Sequence, residues 1–218
     1  MDPFVDLGRD LPRFQPTVIL DVGANVGQSA ARFRAAYPLA EIFCFEPVQA
    51  TYLSLRDAVA GDPRIHCHHV ALGSQQGTAT LVLDGTSDRS RIEPGLPTDT
   101  TSETVPVDTL SNFCTQKEIP QISYLKIDTE GHDLEVLRGG ESLLAEARVD
   151  VLEVEAGMSP DNHLHVPISE LVTYLEGFGY RLFALYEQVP EWQTGRPQLR
   201  RTNPVFISPE LARAGTQA

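Results

Sequence analysis

A chain of 218 residues is long enough for one domain of moderate size with a self-sufficient core. Its 17 Lys and Arg against 30 Asp and Glu leave a net charge of −13 and a pI near 4.8, a field that repels phosphate backbones and anionic lipid and so excludes nucleic acid and membrane surfaces as expected partners. No apolar run approaches the ~20 residues of a spanning helix, and Cys44, Cys67 and Cys114 lie singly in or beside apolar segments, so the chain reads as a soluble cytoplasmic protein with reduced thiols.

Residues 1–16 hold three prolines and no sustained period, which predicts a lead-in packed loosely against the domain. Residues 17–30, TVILDVGANVGQSA, follow as strand, tight loop and helix start. Val18, Ile19, Leu20 and Val22 make the near-continuous apolar run of a strand buried on both faces of a parallel sheet. Gly23 and Gly27 supply the backbone freedom for a loop that sits against a ligand, and the N–H groups of the next helix complete a cradle for a polar group. A dinucleotide fingerprint fails because Asn25 stands where the middle glycine belongs, and no Gly-Lys-Ser/Thr follows to make a Walker loop. The D-x-G-x-x-x-G spacing instead resembles the first motif of class I S-adenosylmethionine (SAM) dependent methyltransferases.

A helix is expected over 28–37, with Ala30, Ala31, Phe33 and Ala36 as its buried stripe and Pro38 as its stop. Residues 41–47, EIFCFEP, read as a short strand closing on an acid. In a doubly wound nucleotide site, an acid at the end of the second strand, ~20 residues past the glycine loop, accepts hydrogen bonds from ribose hydroxyls, and Glu46 lies at that offset. Pro47 starts the next helix, expected over 48–60. Residues 64–72 predict a third strand on which His66 and His68 share one face and His69 takes the other. No carboxylate or thiolate nearby completes a metal set around them. Ala71-Leu72-Gly73 is a candidate for adenine contact.

Residues 77–83 alternate as an antiparallel strand, and 84–104, dense in Asp, Gly, Ser, Thr and Pro, read as an active-site flap. A strand over 103–108, with Pro106 implying an edge position, and a short helix over 110–118 follow. Residues 122–131, ISYLKIDTEG, form a buried strand that delivers Lys126, Asp128 and Glu130 to its end, ahead of a helix over 133–144 broken at Gly139-Gly140. Three charges on a central strand and its exit must pair or face a cleft. If this strand neighbours the first, Asp128 and Glu130 stand opposite the glycine loop. Beyond it come a strand over 149–155 with Glu153 and Glu155 on one face, a polar loop over 156–167 that joins the flap in covering the acceptor, and a helix over 168–177. A closing antiparallel pair over 180–186 and 204–208 is joined by a segment holding Trp192, Arg196, Arg200 and Arg201. Residues 209–218 read as a frayed tail, which leaves 17–208 as the single domain.

The runs DVGANVG (21–27), FEP (45–47), ALG (71–73) and above all LKIDTEGHDLEVLRGG (125–140) resemble the FkbM family of SAM-dependent methyltransferases. The resemblance implies a doubly wound, mostly parallel α/β sheet of seven strands, Rossmann-like, with an antiparallel C-terminal hairpin and a β-rich insertion. It implies S-adenosyl-L-methionine as cofactor, held along Asp21, Gly23, Ala24, Asn25 and Gly27 at its methionine half, at Glu46 and Pro47 by its ribose, and at Ala71 near the adenine. Asp128, Glu130 and His132 would sit beside the transferring methyl. His132 is taken as the base that removes the acceptor's proton, because imidazole titrates nearest working pH, and Asp128 as the group that positions the donor. The acceptor implied is a hydroxyl of a sugar or natural-product scaffold, with self-association into a homo-oligomer left open. Ser111 departs from the family, which often has an acid there; if that acid helps to hold substrate, the substrate class carried over by resemblance is less secure. No metal is assigned; Mg²⁺ held by Asp128 with Glu153 or Glu155 is the rival mechanism. A nicotinamide oxidoreductase and an inert SAM-binding module are the alternative functions.

Overall fold

The computed structural model describes residues 2–82, 91–92 and 102–214. Most of the flap expected over 84–104 lies outside them. The main sheet is built outward from β1 (Val18–Val22), which pairs in parallel with β2 (Glu41–Phe45) on one side and β8 (Ile122–Ile127) on the other. Beyond β2 lies β3 (Ile65–His68), and beyond β8 lies β9 (Val149–Val154), both parallel to their neighbours. The antiparallel hairpin β11 (Arg181–Pro190) and β12 (Leu199–Ile207) closes that side, β12 lying against β9. After Glu155, β10 (Ala156–Gly157) carries the line of β9 onward by pairing with Thr202 and Arg201 of β12.

Alternation along the strands makes two cores, one on each face. Leu20, Val22, Leu125, Ile127, Leu152 and Val154 point to the side covered by α4 (Leu110–Gln116), α5 (Asp133–Arg138), α6 (Glu141–Ala145) and α7 (Ile168–Gly177). Ile19, Ile42, Cys44, Tyr124 and Val151 point to the side of α2 (Gln28–Ala36) and α3 (Gln49–Val59). In α2 the buried residues are Ala30 and Phe33; Ala31, expected in the stripe, is exposed.

Four expectations are corrected by packing. The lead-in is helical: α1 (Pro3–Asp10) begins with Asp2 Oδ1 accepting from the Phe4 N–H at 2.8 Å and a proline in its first turn, the cap and start chemistry of a helix. Leu7 is fully buried, and the Phe4 ring lies 5.4 Å from Phe33 and 6.0 Å from Tyr124, so the segment is docked and not loose. At the other end, part of the expected tail forms α8 (Pro209–Ala214), whose Leu211 and Ala212 pack on the same core. The strand expected over 64–72 is two strands in two sheets. Its second part, β4 (Ala71–Leu72), belongs to a small sheet of order β4-β7-β5-β6, with β5 (Gly77–Val82), β6 (Arg91–Ile92) and β7 (Ser102–Asp108). There β7 lies between β4 and β5 and is not an edge; Pro106 is tolerated because β4 pairs only with Val107 and Asp108, leaving Pro106 beyond its end.

The histidines of 66–69 are absorbed in ring stacking. His66 stacks on Phe43 at 4.9 Å, His68 on Phe45 at 5.4 Å and His69 on Tyr52 at 5.0 Å. Burial pushes His68 down to about 4, so it is neutral at physiological pH. The three cysteines are free thiols. Among the described residues no helix is long and apolar enough to cross a membrane.

Candidate active site

The carboxyl ends of β1, β2 and β8 open on one cleft of about 530 Å³, the size range of small-molecule sites. Gly23 shapes its first wall. With φ +80° it turns the chain so that the Gly23 and Ala24 N–H groups both donate to the Phe45 carbonyl at 3.0 Å. A Cβ on Gly23 would stand 1.9 Å from the Asp128 carbonyl oxygen, so glycine is demanded here by the exit of β8, not by the close approach of a ligand. Gly27, on the helix N-cap, is required by its φ of +97°; a Cβ there would stand 3.1 Å from the Leu55 side chain, a tight contact that the leucine tip can yield to. Asp21 lies fully buried behind the loop, where its Oδ2 accepts from Ser29 Oγ at 2.5 Å. Burial pushes its carboxyl pKa up, against the pull of Lys126 and Ser29. Of the residues expected to hold cofactor, Gly23, Ala24, Asn25, Glu46, Pro47, Ala71 and Asp128 line the cleft, while Asp21 and Gly27 shape the loop from behind.

Glu46 stands at the end of β2, 6% exposed. Its Oε1 accepts from the Val48 N–H at 2.8 Å and its Oε2 from the Asn25 N–H at 3.1 Å, which ties the second strand to the glycine loop. Burial pushes this carboxyl up to about 7, and the two N–H donors pull the other way. A carboxylate has about four lone-pair sites, so two remain for donors from the cleft. Next to it Phe45, Val70, Ala71, Leu72 and Leu81 supply an apolar slot. An apolar slot for a flat base, a carboxylate with spare acceptors for a diol, and a polar loop beyond them make the donor set fit an adenosine-bearing cofactor.

The charged run of β8 resolves into one buried network. Lys126 Nζ donates to Asp128 Oδ2 at 2.9 Å. Burial opposes the charge on Lys126, but Asp128, Asp21 and Glu153 outweigh it and lift the ammonium pKa. Burial likewise opposes ionisation of Asp128, and Lys126 overcomes it, so this carboxyl is held below the usual range and stays anionic. Glu153 is turned away from the cleft, accepting from Tyr124 Oη at 2.5 Å and from Asn203 Nδ2 at 3.2 Å. That commitment removes it from the rival Mg²⁺ set.

Glu130 and His132 line the cleft as expected. Glu130 has φ +51°, an uncommon conformation for a residue with a side chain, in a turn closed by the Thr129 and Gly131 N–H groups donating to Asp133 at 3.1 and 3.2 Å. Gly131 packs so tightly that a Cβ would stand 2.3 Å from the Leu164 carbonyl oxygen. Burial raises the Glu130 carboxyl pKa. His132 is the N-cap of α5.

The far half of the cleft holds Glu155, named from the sequence only as a rival metal ligand, beside residues to which the sequence gave no individual role. Glu155 Oε2 lies 2.6 Å from His165 Nε2, its Oε1 accepts from the Arg201 guanidinium, and His165 Nδ1 rests on the Asn162 carboxamide. Glu130, Glu155 and His165 come within 4.8 Å of one another, residue types that a divalent cation accepts, although Glu155 already has partners on both oxygens. Trp192, Gln193, Arg200 and Asn203 complete this end. The Glu153-x-Glu155 alternation and the polar loop around His165 were the available signals; neither shows that the two meet. Ser111 lies outside the cleft, its Oγ 2.9 Å from Ser142 Oγ, so this position takes no part in the cleft wall.

A sheet in the order β3-β2-β1-β8-β9-β12-β11, helices on both faces, a glycine loop after the first strand and a buried acid after the second define the class I methyltransferase fold. The rRNA methylase of Streptococcus thermophilus superposes with a TM-score of 0.54 at 9% identity, covering 95% of this chain and 97% of that one. TrmK of M. capricolum, solved with S-adenosyl-homocysteine, gives 0.51 at 12% identity over 93% of this chain and 67% of its own. Within that class the chain belongs to the FkbM methyltransferase family, whose domain matches residues 21–182. It is 26% identical over 203 residues to the 2-O-methyltransferase NoeI of Sinorhizobium fredii, covering 85% of this chain and 79% of NoeI. It is 27% identical over 144 residues to the hexuronic acid methyltransferase AglP of Haloferax volcanii, covering 66% of this chain and 58% of AglP.

Proposed function

We propose that this protein transfers the methyl group of S-adenosylmethionine to a hydroxyl of a small molecule, a sugar or a natural-product scaffold, in the cytoplasm and without a nucleic-acid partner. The observation that carries the cofactor assignment is Glu46, buried beside an apolar slot, locked to the glycine loop and left with acceptor capacity facing the cleft. The oxygen acceptor is supported by NoeI, by its name a 2-O-methyltransferase, and the sugar class by AglP, a hexuronic acid methyltransferase. Bound in the cleft, the cofactor supplies an electrophilic methyl on a sulfonium. The chain's own residues have three tasks: to hold the donor, to align the acceptor in line with it, and to take the acceptor's proton. Asp128, kept anionic by Lys126, favours a cation beside it. His132, on the cleft wall at the start of α5, is assigned as the base, with Glu130 next to it.

Calorimetry with SAM and with NADH tests the cofactor, and radiolabelled methyl transfer to a panel of polyhydroxylated acceptors tests the reaction. Saturable SAM binding without NADH binding is expected, together with labelled ether product. Tighter binding of NADH would return the oxidoreductase; SAM binding with no transfer to any acceptor would return the inert module.

A further inference from the structure

The end of the cleft farthest from Glu46 is formed by the turn between β11 and β12. Trp192 stands there, the only tryptophan of the chain, 56% exposed although it lines the cleft. One face of its indole is covered by the Arg200 guanidinium, 4.8 Å from the ring centroid. Arg200 is in turn fixed by the buried carboxylate of Glu191 at 3.2 Å. A large apolar ring backed by an immobilised cation and open on its other side is a preformed stacking surface. Asn203 of β12, which lines the same cleft, is 3% exposed, donates from Nδ2 to Glu153, and keeps Oδ1 without a partner among the described residues. A buried acceptor left unsatisfied is costly, and a hydroxyl brought into the cleft would satisfy it.

The charges on the wall narrow the ligand further. Arg32 is paired with Glu187 at 3.0 Å, Lys126 with Asp128 at 2.9 Å, Arg200 with Glu191, and Arg201 with Glu155. Among the described residues, each lysine and arginine of the cleft wall already has a carboxylate partner, so a ligand's carboxylate or phosphate would have to compete for it. Glu46 and Glu130 add carboxyl groups to the wall that, among the described residues, no lysine or arginine of the cleft pairs with, a further disfavour for an anionic ligand.

We infer that this end of the cleft is a subsite for an uncharged sugar ring, stacked on Trp192 and donating one hydroxyl to Asn203 Oδ1. The inference rests on the methyltransferase assignment above and sharpens it, because it selects neutral glycosides over the hexuronic acids that AglP is named for.

Since Trp192 is the sole indole, its emission reports the subsite directly. The protein is saturated with S-adenosylhomocysteine and titrated with methyl hexosides and with the matching methyl hexuronides. Methyl transfer is measured for wild type, Trp192→Ala and Trp192→Phe, and SAM affinity by calorimetry for all three. A saturable emission change with at least one neutral hexoside is expected, with weaker binding of its uronide. Trp192→Ala should raise KM for that hexoside by about tenfold with kcat and SAM affinity little changed, and Trp192→Phe should recover most of the loss. The inference is overturned if uronides bind as well as hexosides, if a phenolic acceptor is preferred to every glycoside, or if Trp192→Ala keeps the wild-type KM. Silence of all glycosides in both assays overturns it as well. Intact SAM binding in that case leaves the cofactor assignment standing, whereas loss of SAM binding by wild type removes both.

Discussion

In the cofactor-free protein the Glu46 carboxyl has its pKa pushed from the ordinary 4.5 up to about 7, chiefly by burial. The folded state therefore holds a proton that the unfolded chain has lost between those two values, and the stability tied to that proton is fully present at lower pH and disappears as pH rises through the window. At about 1.4 kcal/mol per pH unit, the loss amounts to ~3 kcal/mol by pH 8. Glu46→Gln has no proton to lose. Urea melts without cofactor should thus show the unfolding free energy of the variant gaining on that of wild type by ~3 kcal/mol between pH 4.5 and pH 8. SAM binding should run the other way. Ribose hydroxyls donate to the ionised carboxylate, so wild-type affinity is expected to rise roughly 90-fold from pH 5 to pH 8, with a proton released below about pH 7. The variant loses the charge-assisted part of the contact, about 1.5–3 kcal/mol at pH 8, and most of the pH slope. Calorimetry in buffers of different ionisation enthalpy counts the released proton. Parallel stability curves for the two proteins, or a SAM affinity with the same pH slope in both, would refute the assignment of Glu46 as the buried ribose acceptor.

Lys126→Met leaves Asp21, Asp128 and Glu153 without their buried cation and should cost ~3–5 kcal/mol in chemical denaturation; a loss under 1 kcal/mol would show that water or a relaxed backbone replaces the lysine. Gly23→Ala forces a methyl against the Asp128 carbonyl at φ +80° and should cost at least ~2 kcal/mol while weakening SAM binding; unchanged thermal midpoint and affinity would contradict that packing. His132→Ala is expected to lower kcat by ~10²–10⁴ with SAM affinity retained, and Glu130→Gln to lower it far less. The reverse order in single-turnover rates across pH would move the base to Glu130.

Much of this protein was legible along the chain itself, because it depends on neighbours in sequence. The apolar run of 18–22, the Gly23 to Gly27 spacing, the acid at position 46 and the LKIDTEG stretch are local patterns, and each sits where a parallel α/β sheet needs it. From strand order alone, Asp128 and Glu130 were expected opposite the glycine loop once β8 adjoined β1, and the pairing of Asp21 with Lys126 bears this out. The sequence misjudged segments whose fate is set by distant packing. The Asp2-Pro3 helix start is local and visible, but only the rings of Phe33 and Tyr124 make docking of Phe4 worthwhile. Likewise the Gly23 constraint comes from a carbonyl more than a hundred positions away, and so could be mistaken for room left for a ligand. The half of the cleft beyond β8 was the least legible. Glu155, His165, Trp192, Arg201 and Asn203 belong to a strand end, a loop and a hairpin with no shared period, and they meet only because β12 folds back antiparallel onto β9 and β10. Hydrophobic periodicity encodes which face of an element is buried; it does not encode which loop closes over which strand, and that closure, decided by the tertiary fold, is what builds the far end of the cleft.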